Sequence, residues 1–484
     1  MNTVHVIHYS GATAKSSSVL TSVALDYQDG GADVTVVDLA KTTTVHQGLP
    51  SPWVARLLGH RVMRPSVTEV LRESGVGYLT LANNREQWPI GDSDLKTMEQ
   101  ALESELLTYF RRDHVPNTAE SRRLQNSLRK GMHDVYRSLD SLWSAELPDL
   151  VAIPNGRTSR QKAARLVAEK LGIEVWLYEN GRAMPNAYYL GKTQPHDRIA
   201  SQAEILTGFP LPSASVLKKQ AAEWLTNRQA RGSQTNLFSE KWVALAESSM
   251  HKKNRLAVFF ASSFDEFLAF SPMWRIDSWN YQFEAFDLIM SKLEAEGFDL
   301  ALRLHPNLAS KSRKYFTREV KAIGGLAKNH PGLHVHWHNE TTNSYDLVNN
   351  ADLVIVERST MGLEASLMGK PVIVCQATQW DQLVDVRQML SPTDVTLENL
   401  LPWPPSPLGA QKFVGYWLAQ EHPLRFDWRH WSSWNPDNAP PVMKLAQLTL
   451  PNSISHKKKL LTLELAKRRN SRFEPSLERT DKLG

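Results

Sequence analysis

Between Asp299 and Val374 the chain spaces residues able to grip an anion along a repeating strand-and-turn pattern. Asp299–Leu304 reads as a strand that ends in His305-Pro306, and Asp352–Val356 as a second strand. The second strand feeds a turn and helix that begin Glu357-Arg358-Ser359-Thr360. The first turn of a helix has unpaired N–H groups and positive dipole character, so it attracts phosphate. Ser359 and Thr360 add hydroxyl donors there, and Glu364, four residues on, shares a helix face from which it can accept from a ribose hydroxyl. Pro306 ends the first ladder and leaves His305 at a strand tip, where its ring can donate to a phosphate or a base. Arg358 reads either as a partner for a diphosphate or carboxylate or as a solvated turn residue. Arg303, between Leu302 and Leu304, either pairs with a carboxylate or faces a cleft. Together these residues suit a nucleotide-linked ligand.

Earlier in the chain, Glu179-Asn180-Gly181-Arg182 follows a short strand, Glu174–Tyr178. A carboxylate exposed there could deprotonate an incoming hydroxyl, with glycine allowing a sharp turn; a plain turn is the alternative. Asn155-Gly156-Arg157 reads, by the same logic, as an acceptor-binding turn. Asp265-Glu266 is either a second carboxylate pair at a strand tip or a helix cap. His334, His336 and His338 alternate along one strand face without Asp or Cys partners, so no metal site is expected. No Gly-x-Gly-x-x-Gly or Walker loop occurs, which weighs against nicotinamide chemistry and ATP hydrolysis, and no cofactor is expected. Cys375, the only cysteine, sits in Val-Ile-Val-Cys and reads as a buried strand residue; an internal disulfide is impossible.

These turns need a scaffold. At 484 residues the chain exceeds one ordinary core, and domains of roughly 150–250 residues are the expectation. With 42% hydrophobic and 22% charged residues it reads as globular, and no apolar run approaches the roughly 20 residues that span a bilayer. The N-terminus reads as a first strand, not a signal peptide, so a cytoplasmic setting is expected. The net charge of +5 resides in the tail from His456 to Gly484, which leaves the body close to neutral and without a nucleic-acid groove.

Strand, Gly/Ser turn, helix and strand open the chain (Val4–Tyr9, Ser10–Ser18, Asp33–Asp38), with Gly77–Leu81 as a further strand. Leu124, Leu128, Val135, Leu139 and Leu142 recur at helical spacing. Asp149–Ile153 (strand), Ser159–Leu171 (helix) and Glu174–Tyr178 (strand) follow, and then a polar connector over about 206–254. The βα pattern restarts with Leu256–Phe260, Tyr281–Glu296, Asp299–Leu304, Leu333–His336, Asp352–Val356 and Pro371–Cys375. The expected fold is α/β: two facing Rossmann-like domains of GT-B type with a C-terminal helical extension. The acceptor domain would span 1–245, the donor domain 250–400, and a closing segment 401–484. Ligands bind beyond the carboxyl ends of such strands, where all the polar turns fall. Trp428, Trp431 and Trp434 read as packing aromatics, with a sugar-stacking surface as the alternative.

Six segments resemble the bacterial capsule polysaccharide biosynthesis family, which includes Kdo-transferring enzymes with two Rossmann-like domains. They are Tyr178–Gly181, Ser262–Glu266, Trp279–Gln282, Arg303–Asn307, Ser359–Ala365 and Gly369–Ile373. The resemblance covers about 250–380 and, in patches, 150–205. It implies that His305 and the Ser359-Thr360 pair bind the donor nucleotide, and Glu364 its ribose; Pro306, Arg358, Ser262 and Ser263 beside them are expected to join the donor site. It also implies that Glu179 is a catalytic carboxylate; His305 is expected to stabilise the negative charge that grows on the departing phosphate. The stretch from Pro185 to Tyr189 departs from the family by lacking an aspartate-rich continuation.

The resulting expectation is a metal-independent glycosyltransferase acting on a surface polysaccharide or glycolipid, with a CMP-linked donor preferred. A sugar-nucleotide epimerase and a non-catalytic scaffold are the alternatives. The tail reads as a solvated helix or as one lying peripherally on the anionic inner face of a membrane.

Overall fold

The computed structural model describes residues 2–8, 14–39, 71–72, 74–81, 88–110, 114–231, 254–262, 274, 279–306, 308, 311, 313–338, 340 and 342–425. Ser263, Asp265, Glu266, the three clustered tryptophans and the basic tail lie outside those residues.

Contacts divide the described chain into two compact units, 2–196 with 420–425, and 197–419. Both are α/β, as expected, and each is built on a largely parallel sheet.

The first unit runs β1 (Thr3–His8), α1 (Ala14–Asp29), β2 (Asp33–Asp38), β3 (Gly77–Thr80), α2 (Asp92–Phe110) and α3 (Ala119–Ala145). It continues with β4 (Leu150–Pro154), α4 (Ser159–Lys170), β5 (Glu174–Asn180) and β6 (Ala187–Gly191). The last strand of the described chain, β13 (Glu421–Pro423), returns to complete the order β13-β6-β5-β4-β1-β2-β3. Alternate strand residues serve opposite faces. Val6 and Val36 pack with Val19, Leu20 and Val23 of α1, whereas Ile7, Val37, Val151 and Ile153 pack against α2, α3 and α4. The stripe read on α3 is real: Leu124, Leu128, Val135 and Leu139 are buried, Leu142 partly so, and the Thr118 side chain caps the helix at Ser121 N (3.1 Å). His5 lies inside this layer and accepts from Trp143 Nε1 (3.0 Å). Burial lowers its pKa, opposed by Glu146 and Asp33, which keeps a neutral acceptor there.

The second unit contains α5 (Arg198–Leu206), α6 (Ala214–Arg231), β7 (Arg255–Phe260), α7 (Gln282–Ala295), β8 (Phe298–Arg303), α8 (Arg313–Asn329), β9 (His334–His336) and α9 (Ser344–Asn350). Then come β10 (Leu353–Val356), α10 (Met361–Leu367), β11 (Val372–Val374), β12 (Arg387–Gln388), α11 (Leu397–Leu400) and α12 (Leu408–Ala419). Its strands are all parallel, in the order β12-β11-β10-β7-β8-β9. Buried Val, Ile, Leu and Phe fill both faces, as a doubly covered parallel sheet requires.

The unit boundaries differ from those expected of the sequence, and side chains explain why. Asp197 caps α5 through Ile199 N and Ala200 N (3.0 and 2.9 Å). Gln202 then donates to Asp381 Oδ1 (3.1 Å) and accepts from Gln382 N (2.6 Å), which fastens α5 to the loop after β11. The connector helix α6 buries Leu217, Ala221 and Trp224 and packs on α12. Residues 197–231 therefore belong with the second sheet, as does the helix after Pro402, while Glu421–Pro423 pair with β6 in the first. None of the described helices is long and apolar enough to cross a membrane.

Gly409 opens α12 where a Cβ would lie 1.8 Å from Leu383 O. Gly409→Ala is expected to destabilise the second unit by about 1–3 kcal/mol in denaturant titration. An unchanged midpoint would show that this approach is not made.

Candidate functional site

In the second unit β7 lies between β10 and β8, so Ser262 at its carboxyl end is flanked by both loops singled out in the sequence. Two strand spacings, about 10 Å, separate the tips of β8 and β10. Ser262 is buried and pinned on each side. Its Oγ accepts from Arg358 N (3.2 Å), its N donates to Gln282 Oε1 (2.9 Å), and its O accepts from Gln282 Nε2 (3.2 Å). It also lines a small pocket with half-buried His305 and with buried Tyr315 and Glu319 over apolar Ala261 and Leu304. Tyr281 OH donates to Glu319, and Arg318 lies over the Tyr281 and Tyr315 rings (5.2 and 4.9 Å).

Arg358 is not a solvated turn residue. It is 3% exposed, donates to Gln376 Oε1 (3.1 Å) and lies 6.0 Å from the Trp274 ring centre. Burial lowers its pKa, with Glu357 opposing. Ser359 is half-buried and its Oγ accepts from Met361 N (3.3 Å); Thr360 is exposed and its side chain caps nothing. α10 is only seven residues long, and its first two N–H groups are engaged within the turn, Met361 N on Ser359 Oγ and Gly362 N on Ser359 O (3.0 Å).

Two carboxylates of this region are buried. Glu364 was expected to present itself to a ribose, yet it is 1% exposed, with one oxygen held by Arg228 Nε and Nη2 (3.0 and 2.8 Å) and the other by Tyr345 OH. Its helix face is turned to α6, not to solvent. Arg228 continues the stripe of Leu217, Ala221 and Trp224, a spacing readable in the sequence once α6 is taken as a packed helix. Glu357, not singled out beforehand, is completely buried, with Arg358 Nε 4.0 Å away. Burial raises its pKa, and Arg358 and Ser262 oppose the shift.

Arg303 is buried and turned to backbone: it donates to Trp337 O and to His336 O (3.4 Å). Burial pushes its pKa down to about 10, against Glu340. His336 Nδ1 lies 3.2 Å from both Glu340 Oε2 and Thr342 Oγ1. Among the described residues no group of His, Cys, Asp or Glu is arranged to hold a metal ion. Cys375 is buried and free, and burial, then Glu357, raises its thiol pKa.

In the first unit the structure brings the three sequence candidates together at adjacent strand tips. β4 pairs with β5, and Asn155 N donates to Tyr178 O (2.8 Å), so Asn155 faces Glu179. Asn155 adopts φ 58, a left-handed conformation that asparagine tolerates. Its Nδ2 donates to Glu179 Oε2, while Asn180 N and Nδ2 both donate to Oε1 (3.1 Å each). Gly181 is required by close approach rather than by φ: a Cβ would meet Ala187 O at 2.8 Å.

Arg157 Nη1 donates to Ser104 Oγ (2.9 Å) and Thr108 Oγ1 (3.1 Å) on α2. Arg182 meets the ring of His196. Burial lowers the pKa of both arginines, opposed first by Glu179, and lowers that of His196 further with the arginines' help. His196 and Glu421, which completes this cluster, lie far from the quoted motif and carried no local signal. The arrangement is a half-buried carboxylate gripped by amides and flanked by two guanidiniums. It can take a proton from a hydroxyl while holding the molecule that bears it.

No family model matches the chain, and no curated protein does. Among solved structures it is similar to KpsC, beta Kdo 2,4 transferase, of Thermosulfurimonas dismutans, at 17% identity and TM-score 0.36 over 56% of this chain and 80% of that one. It is similar to UDP-GlcNAc 2-epimerase from Neisseria meningitidis bound to UDP-GlcNAc, at 14% identity and TM-score 0.29 over 81% and 89%. The glycotransferase of kitacinnamycin gives 12% identity and TM-score 0.26 over 93% and 99%. The neighbours therefore include a Kdo transferase, the kind of enzyme the sequence resembles. Likenesses at these scores carry no conclusion about activity.

Glu357 supplies a test of the buried network. Below its ordinary value of 4.5 the carboxyl is protonated in both folded and unfolded chains. As pH rises through that value the unfolded chain releases its proton first, so stability falls until pH passes the raised folded pKa. Glu357→Gln removes this loss. Its unfolding free energy relative to wild type is expected to increase as pH rises above about 4.5 and to level off once pH passes the raised folded value. A difference independent of pH would contradict the burial of an ionisable group here.

Proposed function

We propose that the protein is a glycosyltransferase moving a sugar from a nucleotide-activated donor, CMP-linked in the first instance, to a hydroxyl of a surface-polysaccharide or glycolipid acceptor. The observation that carries this reading is the pair of polar strand ends. In one unit a carboxylate is oriented by amides, and in the other a pinned serine stands between a histidine tip and a hydroxyl-bearing helix start.

The second unit would hold the nucleotide. The hydroxyls of Ser359 and Thr360 can donate to phosphate oxygens, and Met361 N can do so by exchanging Ser359 Oγ for the ligand, with Arg358 supplying positive charge behind them. His305 can donate to the phosphate or the base from the neighbouring tip. As the bond between the anomeric carbon and phosphate oxygen breaks, negative charge grows on the phosphate, and donors fixed in advance stabilise it without reorganising. Glu364, already held by Arg228 and Tyr345, would support α10 and reach a ribose only by exchanging a partner.

The first unit would activate the acceptor. Glu179 takes the proton of the acceptor hydroxyl as its oxygen attacks the anomeric carbon. Asn155 and Asn180 aim the carboxylate, and Arg157 and Arg182 favour an acceptor rich in oxygen acceptors. No step requires a metal ion. The working location is the cytoplasmic face of a membrane, with the basic tail as the contact.

Calorimetric titration with CMP, UDP, GDP and CDP is the first test, with saturable binding of at least one expected. With the matching sugar nucleotide, Glu179→Gln is expected to lower turnover by about 100-fold or more, and His305→Ala by about 100-fold. Wild-type rates in both folded variants would eliminate these assignments. Conversion of the donor in the absence of any acceptor would replace transfer by epimerisation.

A further inference from the structure

We propose that the backbone of residues 182–184 forms an oxyanion-binding nest that the chain fills with the carboxylate of Glu421, fixing the turn that carries Arg182. The N–H groups of Arg182 and Ala183 both donate to Glu421 Oε1, the second at 2.7 Å, and Met184 N donates to Oε2 at 2.6 Å. Three successive backbone donors converging on one carboxylate make the concave arrangement that binds carboxylates and phosphates in general. The preceding donor, Gly181 N, is committed to Ala187 O (2.8 Å) within the hairpin. The next three turn away from the hairpin ladder and meet Glu421 instead.

Glu421 comes from 237 residues beyond Met184 and is 8% exposed. It is delivered by β13, registered on β6 as Glu421↔Tyr189, His422↔Tyr188 and Pro423↔Ala187. That strand is anchored past the nest. The His422 ring stacks on Tyr188 (5.3 Å), Arg425 N donates to Ser22 Oγ (3.0 Å), and the Arg425 guanidinium pairs with Asp26 and Asp29 (2.5 Å each). β13 thus brings a ligand to a turn as well as an edge strand to a sheet. Because Arg182 adjoins Glu179 and His196, the nest ties the far end of the described chain to the carboxylate cluster.

The inference does not depend on glycosyl transfer and is tested without a substrate. Full-length Glu421→Ala is examined by hydrogen exchange over 181–186, with sodium formate as the anion and sodium chloride at equal ionic strength as control. Exchange of the three amides is expected to accelerate about tenfold or more. Formate is expected to restore protection, and chloride to leave it low. Glu421→Gln, whose carboxamide still fills the nest, is expected to show a smaller acceleration that formate does not reverse. Unchanged exchange in Glu421→Ala overturns the proposal, as does equal rescue by chloride. If Glu421→Ala folds only with formate present, the nest is supported. If neither salt recovers it while Glu421→Gln folds with wild-type exchange, the carboxylate is not what the turn requires.

Discussion

A carboxylate withdrawn from water must be met by donors or lose its charge, and that constraint organises both units. Glu179 is met by the amides of Asn155 and Asn180, Glu421 by three backbone N–H groups, and Glu364 by Arg228 and Tyr345. Apart from Asn180, the neighbour of Glu179 on β5, the partners come from other elements of the chain, and each coupling fixes a turn or helix at the carboxyl end of a strand. Burial raises the pKa of Glu421 against the pull of those N–H groups, and raises that of Glu357, which has Arg358 Nε 4.0 Å away. The same polar groups that make the strand ends chemically interesting therefore also hold them in place.

The sheets determine where these groups gather. In a parallel sheet every strand delivers its carboxyl end to one edge, so residues at 262, 305 and 358 are neighbours through the order β10-β7-β8, although spread over nearly a hundred positions. In the first unit the adjacency of β4 and β5 does the same for Asn155 and Glu179. Ser262 shows the consequence most directly, since it bonds the backbone of Arg358 and shares a pocket with His305.

Much of this was legible in the sequence because it depends on local periodicity. The strands at 33–38, 255–260 and 353–356 are short apolar runs bounded by turns, and α3 carries an unmistakable stripe. The turns at 155 and 179 announce themselves through Asn-Gly pairs, and His305-Pro306 through the proline. What escaped notice depends on pairing across long intervals. Nothing near Glu421 says that it will enter a nest at 182–184. In the sequence Glu364 reads as solvent-facing because α6, which brings Arg228, has the composition of a polar connector. The alternation of Leu217, Ala221, Trp224 and Arg228 held the missing information, diluted by the charged residues around it. At Gly181, which reads as letting the backbone turn sharply, the constraint is the Ala187 backbone beside it, which no local rule reveals.

The account stands on the second unit's strand tips gripping the leaving group of an activated sugar. A crystal soaked with CMP measures this directly. The phosphate is expected on the Ser359-Thr360 turn, with His305 within hydrogen-bonding distance of the nucleotide. A nucleotide bound away from that edge of the sheet, or contacting neither tip, would contradict it.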